Sequence, residues 1–171
     1  TLFPYTTLFR SRTSYLNQLI ASQNNGLIKI ITGIRRCGKS YLLFNIFYDY
    51  LISQGIDNNH IIKIALDDVL NEEYQHPRKL VMYVKERITD NKNYYVFIDE
   101  VQMMDNFVGA LNSLLHIENA DVYVTGSNSK FLSSDIATEG RERAYTRDTQ
   151  RTERVPQTTG PGHTQRARRD D

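Results

Sequence analysis

Tryptophan is absent from this sequence, and it has one cysteine, three methionines and four prolines in 171 residues. With Cys37 alone, no internal disulfide can form. That excludes a disulfide-stapled scaffold and fits a reducing compartment. No Cys/His cluster has the spacing of a zinc site. No apolar run approaches the roughly 20 residues a membrane-spanning helix needs, and no basic segment followed by an apolar core marks a signal peptide. Excess charge of either sign is missing too. The net charge of +1 points neither to nucleic acid nor to a membrane surface. What remains, 40% hydrophobic and 24% charged residues, is ordinary for a globular chain long enough for one domain with a core.

The average conceals a shift. All lysines lie between Lys29 and Lys130, and from Gly140 onward there is no Leu, Ile, Phe, Met or Lys. Residues 12–139 carry 12 basic and 15 acidic side chains, whereas 140–171 carry 8 arginines and 5 acids. So polar a segment cannot bury enough apolar surface to offset its ordering entropy, and 140–171 is expected to be a disordered, non-native tail. Residues 1–11, TLFPYTTLFRS, read as the translation of a common short-read sequencing adapter, matching codon for codon. The domain is therefore expected to span 12–139, incomplete at both ends.

Within that span, apolar runs alternate with helical periodicity. Residues 12–23 read as a short amphipathic helix and 27–32 as a β-branched strand. Strands are expected at 60–66, 94–98 and 121–125. Helices are expected from Lys39 to a stop near Gly55, from Pro77 to about Ile88, around Phe107–Leu115, and over 129–137. This alternation predicts an α/β fold with a parallel sheet flanked by helices. In such sheets ligands sit at the carboxyl ends of the strands. The polar clusters fall at those ends: the glycine loop, Asp67-Asp68, Asp99-Glu100 and Ser127-Asn128.

The strongest of these is Gly33-Ile34-Arg35-Arg36-Cys37-Gly38-Lys39-Ser40. It matches G-x-x-x-x-G-K-[ST] and lies between an expected strand and an expected helix. The glycines let the backbone approach a phosphate closely, and successive N–H groups and the helix N-terminus surround the anion. Lys39 can reach the outer phosphates, and the Ser40 hydroxyl can bind magnesium. The nucleotide-binding set is thus Gly33 to Ser40 with the following Tyr41. Arg35 and Arg36 either add charge at the phosphates, contact a partner subunit or face solvent. Cys37 is a redox-sensitive thiol or a small loop residue.

Asp99-Glu100 supplies the second half of the site. The first acid after a buried strand can hold magnesium, and the second can orient and deprotonate an attacking water. This favours ATP hydrolysis over GTPase switching, as does the lack of an Asn-Lys-x-Asp guanine motif. Ser127 or Asn128, beyond the fourth strand, can hold the water or sense the γ-phosphate. Two other readings stand beside this one: a small-molecule kinase with Asp67 or Asp68 at the acceptor, and a nucleotide-gated DNA- or protein-binding module without relevant turnover.

With IITGIRRCGKSYLL, YYVFIDEVQ and TGSNSKFLSSDIAT in place, residues 12–139 resemble the prokaryotic AAA-type P-loop ATPases whose ATPase domain precedes a nuclease-like C-terminal domain. The resemblance implies an additional-strand P-loop sheet in the order 5-1-4-3-2, ATP with Mg2+, a cytoplasmic setting and possible homo-oligomers. It supports Lys39, Ser40, Asp99, Glu100 and a sensor at Ser127 or Asn128. The fifth strand, the arginine finger and the C-terminal domain of that family are not recognised here. The chain is therefore expected to bind ATP but to turn it over slowly.

Overall fold

A computed structural model describes residues 5–126, with side chains from residue 13. The expected helix 129–137, the residues Ser127 and Asn128, and the 140–171 segment lie outside the described residues. Helix α1 (Tyr5–Ala21) begins earlier than the sequence pattern indicated, running back through part of the adapter-like stretch. Strand β1 (Lys29–Thr32) leads into the glycine loop and then a helical rod, α2, spanning 39–53. The middle of this rod, Leu42–Phe47, is wound as a π-helix between α-helical Lys39–Tyr41 and Tyr48–Ser53. β2 (Ile61–Ala65), α3 (Pro77–Arg87), β3 (Tyr94–Asp99), α4 (Phe107–Leu115) and β4 (Ala120–Gly126) follow.

The four strands are parallel, in the order β1-β4-β3-β2. Over these strands that is the order the resemblance implied. β3 is buried at every position because it is central and covered on both faces, which is why it reads as an unbroken apolar run. One face packs Ile62, Ile64, Val96, Ile98, Val122 and Val124 against Leu80 and Val84 of α3 and Leu111 and Leu114 of α4. The other packs Tyr95, Phe97 and Tyr123 against Leu42, Leu43, Phe47 and Leu51 of α2, with Leu19 of α1. Phe47 is the hub of this second layer. Its ring centroid lies 4.8 Å from Tyr123 and 5.6 Å from Phe97, distances at which aromatic pairs attract beyond their area burial.

At the amino end of the sheet, Lys29 of β1 is ion-paired with Asp121 of β4, and both are buried. The Asp121 carboxylate also accepts from the Tyr123 hydroxyl at 2.8 Å and from the Asn24 N–H at 3.0 Å. Burial first, and the Asp121 charge second, push the Tyr123 phenol well above its ordinary value, so it stays a donor. Among the described strands β1 is an edge. A cavity of about 370 Å3 lies beside it, lined by Tyr15, Leu19, Ile30 and Leu42, and by Thr32, whose buried hydroxyl has no partner among the described residues.

Candidate functional site

The glycine loop joins β1 to α2 at the carboxyl end of the sheet, where the sequence placed it. Gly38 turns the chain at φ 89°, a left-handed conformation that glycine adopts without a Cβ clash. Its carbonyl accepts from the Leu42 N–H at 2.9 Å, which starts the helix. Gly33 is buried, and a Cβ there would meet Cys37 Sγ at 3.0 Å. Ile34, Arg35, Arg36 and Cys37 form an exposed arch over this tight base, with Arg36 also at positive φ. Tyr41 is half exposed one residue beyond Ser40, on the outer side of the rod.

Lys39 is only 6% exposed. Its ammonium donates to the carbonyls of Gly33 at 3.2 Å and Ile34 at 3.1 Å, folding back on the loop. Among the described residues no carboxylate lies within ion-pair distance of it. Among the described residues, the site therefore presents a nearly buried cation held by neutral acceptors. A buried charge without a counter-charge is costly, and an anion at the loop would remove that cost.

The mirror situation exists two strands away. Asp99 ends β3 with 4% exposure and no cation within ion-pair distance among the described residues. Its Oδ1 accepts from the Thr125 hydroxyl of β4. Glu100 leaves the strand in a left-handed turn, φ 53° and ψ 47°. Its N–H donates to Thr125 Oγ1 at 3.0 Å, and its carboxylate accepts from Gln102 Nε2. Among the described residues no group of three or more His, Cys, Asp or Glu side chains could hold a metal unaided. A divalent cation here would rest on Ser40 and Asp99, with phosphate oxygens and water completing an oxygen shell. Magnesium takes this arrangement readily, since it keeps several waters and binds through few carboxylates.

Lys39 and Ser40 follow β1, and Asp99 and Glu100 stand at the tip of β3, with β4 between the two strands. Ser127 and Asn128 follow directly on β4, outside the described residues. Asp67 and Asp68 end β2 at the far edge and are exposed. Asp68 Oδ1 is engaged by the Leu70 N–H at 3.0 Å, capping the turn Val69–Gln75. Thr125 and Gln102 were missed. The signal for Thr125 was its place as the last polar residue of an apolar run, beside the acid that ends the neighbouring run.

A parallel β1-β4-β3-β2 sheet, a glycine loop opening the helix after β1, and tandem acids at the end of β3 together define an AAA-type P-loop fold. The chain belongs to the AAA domain family, whose sequence profile matches residues 25–150. It is 33% identical over 129 residues to an uncharacterised protein of Haemophilus influenzae, covering 75% of this chain and 32% of that protein. It is 39% identical over 123 residues to an uncharacterised protein of Methanocaldococcus jannaschii, covering 68% and 24%. The chain thus spans about a third or less of the relatives' length. Among solved structures, a chain in the structure of Drosophila ORC bound to AT-rich DNA and Cdc6 superposes with a TM-score of 0.50. The superposition covers 75% of this chain and 51% of that one at 13% identity, a likeness of fold alone. Among the described residues no helix is long and apolar enough to cross a membrane.

Proposed function

We propose that this domain binds ATP with Mg2+ and hydrolyses it as the motor unit of a longer, prokaryotic, cytoplasmic protein. The observation that carries the reading is the pair of uncompensated buried charges, Lys39 at the loop after β1 and Asp99 at the tip of β3. A magnesium triphosphate supplies the missing anion to the first and the missing cation to the second. The N–H groups of Gly33 to Ser40 cradle the phosphates, with Tyr41 beside them. Lys39 exchanges its two carbonyl partners for phosphate oxygens. Ser40 and Asp99 would hold the magnesium, which would supply positive charge against the transferring phosphoryl group. Glu100 orients a water and accepts its proton as the oxygen attacks the γ-phosphorus, releasing ADP. Ser127 or Asn128, at the head of the segment after β4, is the candidate to hold that water or read the γ-phosphate.

The whole protein would add the arginine finger, the fifth strand and the nuclease-like C-terminal domain. Further copies, DNA or another protein are its candidate partners. The small-molecule kinase reading loses ground, since Asp68 caps its own turn and both Asp67 and Asp68 lie at the outer edge.

Titration with ATP tests the core claim. Lys39→Ala should weaken binding about 10–100-fold, the worth of a lost charge-assisted hydrogen bond or two. Glu100→Gln should leave affinity nearly unchanged and lower turnover by about 10²-fold or more. Equal ATP affinity in wild type and Lys39→Ala would sink the proposal.

A further inference from the structure

Thr125 has no role in the reading above, yet it touches both acids. It is fully buried on β4, the strand between β1 and β3, and its register partner on β1 is Ile31. Its hydroxyl has one proton and two lone pairs. The Glu100 N–H donates to Oγ1 at 3.0 Å, and a backbone N–H can only donate. The hydroxyl proton is therefore directed to Asp99 Oδ1.

We propose that Thr125 is the positioning residue of the β3 tip, its hydroxyl fixing the rotation of the Asp99 carboxylate and the left-handed turn of Glu100 together. Resting on the magnesium-ATP reading, the proposal assigns Asp99 Oδ2, the oxygen Thr125 does not engage, as the one offered to the cation. Glu100 is then held at both ends, its backbone by Thr125 and its carboxylate by Gln102. A left-handed non-glycine residue needs such surroundings to persist. Packing does not demand this side chain. Valine has nearly the same shape and suits a buried strand, but it would leave the Glu100 N–H and Asp99 Oδ1 without their partner.

The test compares wild type with Thr125→Ser, Thr125→Val and Thr125→Ala. Affinity for a fluorescent ATP analogue is measured in EDTA and again in Mg2+, with a circular-dichroism melt of each protein. Thr125→Ser, which keeps the hydroxyl, should retain the metal-dependent gain in affinity. Thr125→Val should lose about tenfold of that gain while its metal-free affinity stays within about twofold of wild type. Thr125→Ala should behave likewise and carries the comparison if the valine variant does not fold. An unchanged or larger metal gain in Val and Ala overturns the proposal, since a merely competing donor would free Asp99 for the metal. An equal loss in Ser and Val also overturns it, assigning the effect to packing. If the wild type itself shows no metal-dependent binding, the ATP reading falls and takes this proposal with it.

Discussion

With the role proposed for it, Glu100 would set function against stability. Its left-handed backbone costs about 1–2 kcal/mol for a side chain with a Cβ. Glycine at this position removes that cost, while giving back about 0.5–1 kcal/mol in chain entropy and the contact with Gln102. Glu100→Gly is expected to be up to about 1 kcal/mol more stable in denaturant unfolding and to lose hydrolysis. A clearly less stable variant would mean that the turn is not strained. The placement of single residues was legible where one short motif contained them, as from Gly33 to Ser40 between β1 and a helix and at Asp99-Glu100 at the tip of β3. Thr125 was not, because its importance arises only when β4 is laid beside β3. The tip residues Ser127 and Asn128 drew attention instead.

Elements were legible in proportion to their burial on both faces. β3 and β4 announced themselves as apolar runs, and α4 through its spacing of Phe107, Leu111 and Leu114. The π-helical Leu42–Phe47 and the short turns Asn58–His60, Val69–Gln75 and Val101–Met103 were not foreseen. Such windings are decided by packing and capping, as by Asp57 and Asp68, rather than by hydrophobic period. The Lys29–Asp121 pair was equally hidden, since its partners lie 92 residues apart in the chain. It ties β1 to β4 where both begin. Lys29→Met leaves Asp121 buried with only the Tyr123 hydroxyl and Asn24 N–H as partners. It should cost about 3–5 kcal/mol in chemical denaturation, a large part of the roughly 5–15 kcal/mol typical of a domain. A loss below about 1 kcal/mol would show that the pair is dispensable.

The order β1-β4-β3-β2 puts the most protected strands in the middle of the molecule. Opening free energies should follow this geometry. In hydrogen exchange, amides of β3 and β4 should exchange only through global unfolding. Those of β1, an edge among the described strands with a cavity alongside, should exchange faster by about tenfold or more. Amides of β1 as slow as those of β4 would show that the free edge is covered in solution. The fold class and strand order were legible from the alternation of runs and the family motifs. The cavity was not, because it depends on how α1 leans on the sheet.

The two uncompensated charges, Lys39 and Asp99, have a thermodynamic corollary. Free nucleotide answers only the first of them and free metal only the second, so each ligand leaves the other's debt of desolvation standing. On the proposed magnesium-ATP reading the two ligands would then be coupled, and the coupling would be reciprocal. Whatever factor magnesium adds to the affinity for ATP, ATP adds to the affinity for magnesium. The domain would thus recognise the complex as one object, not its parts in turn.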